Sequence, residues 1–430
     1  MYNNNLIVYG DQTVQVPAHL NFGKFMLDKL RLYKNEIALE NADTHETLTY
    51  EELTQYAVGL SCALKKLGVG LGDTVALGSE KRLEFVPSAL AIIFTGATYT
   101  PYDLKSGRAI LKHKLSITKP KYFICTNLFW NTYEDLLKTF DCIKHFITLD
   151  EKTDSLISVK SILSHVDVNN FEPERVRGQD DVAFVLYSSG TTGMPKGVQL
   201  THLNCILNSL PHEFPNLQNI LQGYGMTECG EPTSESWGTK GPRPGSVGMP
   251  SPGLIIKIVD PQTNEIVGPN TQGEIRVAGP VFMKGYIGID PATYLDEQGF
   301  FKTGDLGYYD EDKYFFIVDR MKEIIVYDGY KVAPLELESI LLAHPKVLEA
   351  AVVGKIVPDF GEEPTAFVVK QPGVDVTETE LVDYVAAEVS PYMQLRGGVR
   401  FIDKIPRNTR GKVLRRNLRE ILNGGINFNS

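Results

Sequence analysis

Ten residues, Ser188-Ser189-Gly190-Thr191-Thr192-Gly193-Met194-Pro195-Lys196-Gly197, do most to limit what this chain can become. An apolar run, Val182 to Tyr187, precedes them and reads as a buried strand. Thr201 to Leu207 follows and reads as a helix with Thr201 as its N-cap. Within the ten, glycines let backbone N–H groups approach an anion, and hydroxyls add donors. Lys196 adds a compact positive charge on a flexible stem. The composition is that of a phosphate-cradling loop. It departs from the G-x-x-x-x-G-K-[ST] pattern, because Pro195 stands where that pattern needs its second glycine. The plain alternative is a flexible Ser/Gly/Thr linker. Linkers rarely sit between a buried strand and a capped helix.

The chain has 430 residues, enough for two or three domains and a large core. A net charge of -10 without any basic block argues against a nucleic-acid partner. Five cysteines (Cys62, Cys125, Cys142, Cys205 and Cys229) show no C-x-x-C spacing, which fits reduced thiols in an intracellular compartment. The eight histidines show no metal-binding spacing such as H-E-x-x-H. The start, Met1 to Asn5, is polar and lacks the basic region of a secretory signal. The best apolar run, Val86 to Ala97, contains Pro87 and is too short to span a bilayer. The chain ends Asn427-Phe428-Asn429-Ser430, which is not the S-K-L peroxisomal address.

Upstream of the loop, residues 22–33 read as a helix, with short strands at Ile37–Leu39 and Thr47–Thr49. Thr49-Tyr50-Glu51-Glu52 is a capping box, and Leu53, Tyr56, Ala57, Leu60, Ala63 and Leu64 make one apolar helical face. Strands are expected at Thr74–Leu77, Tyr122–Cys125 and Phe146–Leu149, and helices at Phe85–Phe94 and Gly107–Ile117. Strands alternating with helices of this length imply βαβ units and a largely parallel sheet. Downstream, Gly241 to Gly253 reads as a loop, and Ile255–Val259, Gly273–Val277 and Phe315–Val318 suggest a small β-rich subdomain. Leu337, Ile340 and Leu341 mark a helix, Val347–Val353 and Ala366–Val369 mark strands, and Thr377 to Glu380 is a second capping box.

Gly223-Tyr224-Gly225-Met226-Thr227-Glu228 also carries chemistry. Its glycines suit a turn where backbone nears a ligand. Tyr224 offers a flat face for a purine, Thr227 a hydroxyl for phosphate, and Glu228 a hard oxygen ligand for Mg²⁺. Alone, the hexapeptide would read as an ordinary turn.

Taken in order, these stretches resemble the adenylate-forming superfamily of acyl-CoA synthetases, 4-coumarate–CoA ligases and beetle luciferases, over about residues 10–425. Tyr187 to Gly197 is similar to its phosphate loop, Gly223 to Glu228 to its second signature, and Thr303-Gly304-Asp305 to its ribose-binding element. Ile317 to Lys322 resembles its hinge, and Pro406 to Lys412 the loop bearing its catalytic lysine. The resemblance implies an α/β fold of several subdomains, βαβ layers plus a small β-rich subdomain, with a C-terminal α/β lid. It implies a large AMP-binding region over 1–319, a hinge at 320–322 and a mobile lid over 323–430.

The implied activity is that of an ATP-dependent acid–thiol ligase. A carboxylic acid attacks Mg·ATP to give an acyl-adenylate, and the acyl group then passes to coenzyme A. By resemblance, ATP or AMP contacts fall to Ser188, Ser189, Gly190, Thr191, Thr192, Gly193, Lys196, Gln222, Gly223, Tyr224, Thr227, Asp305, Arg320 and Lys412. Lys412, Thr227 and Lys196 are the catalytic set, Glu228 holds Mg²⁺, and Lys322 is the pivot. The partners are then a small carboxylic acid and coenzyme A, with neither nucleic acid nor a membrane span, in the cytoplasm or the peroxisome. Two alternatives remain: a luciferin monooxygenase like the beetle luciferases, and an inactive nucleotide-binding isoform or incomplete gene product.

Two departures from the pattern stand out. Relatives place on the order of a hundred residues between the first two signatures, a small domain's worth. Here Leu210 meets Pro211 and the chain reaches Gly223 at once, so an internal segment is missing at that join. The segments 182–187 and 223–228 are expected to share one sheet region, and the loss to strip neighbours from 182–187. In the lid, relatives commonly carry lysine where Val326 and Asp328 stand, and glutamine where Lys331 stands. An anion at 328 is expected to repel the adenylate phosphate.

Overall fold

The computed structural model describes all residues except 1–5, 11–16, 18, 105, 152–155, 164–165, 189–193, 209–221, 236–240, 359, 408–410 and 423–430. Ser189, Gly190, Thr191, Thr192, Gly193 and the join at Leu210–Pro211 therefore lie outside the described residues. The chain divides into two compact units: a larger one of Ile7–Ile256 and Val277–Lys302, and a smaller one of Met1–Leu6, Lys257–Arg276 and Thr303–Ser430.

The larger unit begins with β1 (Val8–Tyr9) and α1 (Phe22–Tyr33), the latter capped by the Asn21 side chain. A hairpin of β2 (Ile37–Glu40) and β3 (Thr47–Thr49) feeds α2 (Tyr50–Lys66), where Thr49 and Glu52 close the expected capping box in both directions. Strands and helices then alternate: β4 (Thr74–Ser79), α3 (Phe85–Phe94), β5 (Thr98–Asp103), α4 (Arg108–Thr118), β6 (Tyr122–Cys125), α5 (Asn127–Leu137), β7 (His145–Thr148), β8 (Ile157–Ser158) and α6 (Val159–Ile162). Next come β9 (Val182–Ser188), β10 (Lys196–Thr201), α7 (His202–Asn208), β11 (Gly223–Met226), β12 (Gly230–Ser234) and β13 (Met249–Pro250). After β14 (Ile255–Val259), β15 (Ile266–Val267) and β16 (Gly273–Ala278), the chain returns to this unit for β17 (Gly285–Tyr286).

Eight strands form one sheet in the order β17-β10-β9-β5-β4-β6-β7-β8. From β9 to β8 every pairing is parallel, as the alternation of strands and helices predicts. Val75, Leu77, Ile124, Ile147, Ala183 and Val198 meet in its largest apolar core. Sequence alone predicts no strand at Thr98–Asp103, because Pro101 lacks a ladder N–H. β5 forms there nonetheless, between β9 and β4.

Three expectations need correction. First, Lys196–Thr201 is a strand antiparallel to β9, so a strand stands between the ten-residue signature and the helix. The helix starts at His202, and Thr201 still caps it. The Asn204 N–H donates to Thr201 Oγ1 at 3.2 Å and the Thr201 N–H to Asn204 Oδ1 at 2.9 Å. Second, β9 keeps a neighbour on each side, β10 and β5, so the short join does not strip it. Third, β11 lies outside this sheet, in a three-stranded one of order β11-β12-β13.

In the smaller unit, β18 (Phe301–Tyr309) and β19 (Phe315–Arg320) pair antiparallel, with Asp305 opposite Arg320. The remaining elements are β20 (Ile325–Tyr327), β21 (Tyr330–Val332), α8 (Pro334–Ala343), β22 (Val347–Val357), β23 (Gly361–Lys370), α9 (Glu378–Glu388), β24 (Val399–Phe401) and α10 (Arg415–Leu422). Their sheet runs β21-β20-β23-β22, with β24 parallel to β23. Leu337, Leu341, Val352, Val368 and Leu381 pack in one core, and Ala351, Val353 and Phe367 pack with Leu418 in another. The second capping box is only half made. Thr377 accepts from the Glu380 N–H at 3.1 Å, but the Glu380 carboxylate turns to Lys346 Nζ at 2.8 Å, a charged donor that outcompetes a backbone amide. Among the described residues, no helix is long and apolar enough to cross a membrane.

Candidate functional site

In the larger unit the hairpin of β9 and β10 sets the candidate site. Ser188 and Lys196 sit opposite each other where β9 and β10 meet the loop. Ser188 Oγ is buried beside the Tyr286 phenol, at the end of β9. His113 Nε2 lies 2.9 Å from the Pro195 carbonyl and so pins the far end of the loop to α4. The sequence carried no sign of that contact, because 82 residues separate the two.

Lys196 Nζ rests 4.9 Å from the centroid of the Tyr286 ring, close enough for a cation–π attraction. The Tyr286 hydroxyl donates to Glu228 Oε1 at 2.7 Å. Glu228 is only 7% exposed, in the turn between β11 and β12, and its carbonyl accepts from the Met283 N–H at 2.7 Å. Burial, and then the Glu228 carboxylate, push the Tyr286 phenol well above its usual range, so it stays a protonated donor. Lys196, Tyr286 and Glu228 thus form one connected group. Lys196 and Glu228 were predicted from sequence; Tyr286 was not, since a lone tyrosine in a two-residue strand carries no pattern.

The rest of the second signature is placed less as expected. Gly223 and Gly225 lie in strand β11, not in a turn. A Cβ at Gly225 would stand 2.8 Å from the Gly230 carbonyl, so close approach of β12 suffices to require the glycine. Tyr224 and Thr227 are half-buried, and Gln222 is exposed, its N–H donating to Glu235 Oε2 at 2.7 Å.

The smaller unit carries the other sequence-predicted residues and is described by itself. Asp305 lies within β18 and is buried. Arg320 Nε approaches its carboxylate to 2.8 Å. The Thr303 hydroxyl donates to the Ile275 carbonyl at 2.7 Å and fixes the start of that motif. Asp319 accepts from the Arg320 N–H at 2.7 Å and the Leu335 N–H at 3.1 Å, and its burial raises its pKa.

Lys322 is exposed in the turn after β19, and Lys412 is exposed on the loop leading into α10. Arg415 follows Lys412 closely and is buried. It pairs with both Glu338 oxygens and with Glu323 at 2.6 Å, and donates to the Val352 carbonyl at 2.7 Å. Burial works against its charge, and Glu338, Glu323 and Asp319 outweigh that. Sequence reasoning missed this anchor as well. Asp328 and Gly329 form a two-residue turn between β20 and β21, with φ of 47° and 78°. That pair of positive φ values suits a tight hairpin and gives Asp328 a backbone reason to be there.

The residues present fit a magnesium–nucleotide complex. Mg²⁺ characteristically takes one or two carboxylates and completes its shell with phosphate oxygens and water. Glu228 supplies one such carboxylate, oriented by Tyr286. No cluster of three or more His, Cys, Asp or Glu able to hold a metal occurs among the described residues.

Comparison with known proteins bears on the family and the fold. The AMP-binding enzyme family model matches residues 28–213 and 208–287, and the model of that family's C-terminal domain matches 336–412. The two pieces of the first match meet where Leu210 joins Pro211. The luciferin 4-monooxygenase of Photuris pensylvanica is 31% identical, with 96% of this chain and 98% of that protein covered. That alignment runs over 539 positions against a chain of 430 residues, so at least about a hundred positions have no counterpart here. The 4-coumarate–CoA ligase 2 of Petroselinum crispum is 29% identical, with 96% of each chain covered. Among solved structures, ATP-bound MatB from Rhodopseudomonas palustris superposes with a TM-score of 0.81 at 26% identity, covering 93% of this chain and 98% of that one.

Proposed function

The chain belongs to the AMP-binding enzyme family, and on that premise we propose that it is an ATP-dependent acid–thiol ligase, which makes an acyl-adenylate and passes the acyl group to coenzyme A. The observation that carries this reading is the connected group of Lys196, Tyr286 and Glu228, with the Ser188 hydroxyl beside it. It offers a cation, a metal-ready carboxylate and a hydroxyl at the end of one hairpin.

Attack of a carboxylate on the α-phosphorus of ATP builds negative charge on phosphoryl oxygens and leaves little proton transfer to catalyse. Lys196 holds a positive charge toward those oxygens, and Ser188 and the half-buried Thr227 add donors. Asp305 and Arg320 bind the ribose. Lys412 is the second cation at the transition state, on a lid of 323–430 that turns about a hinge at 320–322, with Lys322 as pivot. Mg²⁺ on Glu228 neutralises phosphate charge when bound. Coenzyme A and a small carboxylic acid are the partners. Five cysteines that form no disulfide suit a reducing compartment, cytoplasmic or peroxisomal.

The test is acid-dependent exchange of pyrophosphate into ATP, run on this chain and on a form with the segment at the join restored. The reading expects exchange in the restored form, followed by thioester formation with coenzyme A. Absence of both there would sink it. Similarity to the Photuris luciferin 4-monooxygenase supports a second reading, an oxygenase, and light emission with luciferin and ATP would select it. The join supports a third, an inactive nucleotide-binding chain, which would bind ATP without exchange.

A further inference from the structure

We propose that Tyr286 is a positioning residue that holds the two charged groups of the triphosphate site apart and aims both: its hydroxyl orients the Glu228 carboxylate for a divalent cation, and its ring seats the Lys196 ammonium. The proposal rests on the nucleotide-binding reading above and adds a residue and a division of labour to it.

Lys196 and Glu228 carry opposite charges at one end of a hairpin and could neutralise each other. They form no ion pair. Tyr286 touches both at different ends, with Lys196 Nζ over its ring 4.9 Å from the centroid and Glu228 Oε1 2.7 Å from its hydroxyl. A neutral phenol satisfies one oxygen of a buried carboxylate and leaves the other for a metal. Its face steadies an ammonium without cancelling the charge a phosphate must meet. A carboxylate in its place would quench Lys196, and an aliphatic side chain would leave both groups loose.

Tyr286 is itself held on three sides. It pairs with Val198 across the β10–β17 ladder, and the Ile287 N–H donates to the Gly197 carbonyl at 3.0 Å. The Met283 N–H reaches the Glu228 carbonyl at 2.7 Å, so residues 283–287 tie the Lys196 hairpin to the Glu228 turn. The Tyr294 ring packs edge-on against Tyr286 with centroids 4.9 Å apart. A side chain locked this way can hold two others to a fixed geometry.

The experiment is calorimetric titration of the 430-residue chain with ATP, in the presence of Mg²⁺ and in EDTA, for the parent, Tyr286→Phe, Tyr286→Leu, Glu228→Gln and the Tyr286→Phe/Glu228→Gln pair. In Tyr286→Phe the ring remains, so affinity in EDTA should stay at the parent value while the gain given by Mg²⁺ falls roughly ten-fold or more. Tyr286→Leu should lose affinity in EDTA too. Adding Tyr286→Phe to Glu228→Gln should change nothing further, because the hydroxyl acts through that carboxylate. An unchanged Mg²⁺ gain in Tyr286→Phe overturns the proposal, as does equal loss with and without Mg²⁺, or additivity in the double variant. A parent chain that binds no ATP under either condition overturns the nucleotide-site reading, and this inference with it.

Discussion

Asp305 and Arg320 face each other across the β18–β19 ladder, with Arg320 Nε 2.8 Å from the Asp305 carboxylate. Both are proposed to reach one ribose, so the residues that bind the sugar are also an ion pair. The Asp305 side chain is 5% exposed and Arg320 34%. Arg320→Leu should therefore remove a cation from beside a buried carboxylate and destabilise the smaller unit by about 2 kcal/mol, a figure below that of a fully buried pair because Arg320 is partly solvated. Urea unfolding measures it, and an unchanged midpoint would refute it. Adding Asp305→Asn should recover part of the loss.

Lys412 is exposed, as a residue that acts only in a closed state can be. In a form with the segment restored, Lys412→Ala should lower pyrophosphate exchange by about 100-fold or more and leave ATP affinity nearly unchanged. Parallel losses in both would make it a binding residue only.

Asp328 sits at φ of 47° in its two-residue turn. Asp328→Asn keeps the left-handed tolerance and removes the charge, so the unfolding midpoint should hold. Asp328→Val should cost about 1–2 kcal/mol. A valine variant as stable as the parent would remove the backbone reason for this aspartate. Asp328→Lys is the poorer test of charge repulsion, because it adds turn strain to the charge change.

His202 is buried in the larger unit, and its Nδ1 accepts the Phe22 N–H at 3.2 Å. Burial lowers its pKa from 6.5 to about 4, against a smaller opposing pull from Asp181. The folded protein thus takes up this proton less readily than the unfolded chain. The associated stability is full above pH 6.5 and is lost as pH falls toward 4, by about 3 kcal/mol in all. His202→Asn keeps an acceptor without a titration, so its unfolding should lose that portion of the acid sensitivity. Parallel pH profiles for parent and variant would contradict this.

Hydrogen exchange tests the correction at the join. β9 has partners on both sides, whereas β11 ends its three-stranded sheet. Amides of Val182–Ser188 should exchange slowly and those of Gly223–Met226 faster. Rapid exchange throughout 182–188 would revive the expectation of a stripped strand.

The parallel layers were readable because strand and helix periods differ and capping residues such as Thr49 and Glu52 mark their own boundaries. β10 was harder. Its Lys-Gly-Val-Gln-Leu-Thr run is short and begins with residues typical of a phosphate loop, so the signature hid the strand. β5 was masked by Pro101. Lys196, Glu228, Asp305 and Arg320 stood out because each lies in a recognisable local motif. Tyr286, His113 and Arg415 did not, since their roles come from contacts 58 to 82 residues away in sequence. A single sequence shows spacing along the chain, and such pairs exist only once the sheets have closed.

The larger unit is interrupted by Lys257–Arg276 before its last stretch returns. During synthesis, Lys196 therefore leaves the ribosome well ahead of Tyr286. At about 5–20 residues per second, the roughly 90 residues between them take about 5–20 s to emerge. Through that interval β10 presents a bare edge to other nascent chains, and the Glu228 carboxylate waits for its phenol. A transcript that stopped near Ile256 would make the interval permanent. Its product would carry the phosphate loop intact and aggregate through the edge that β17 was due to cover.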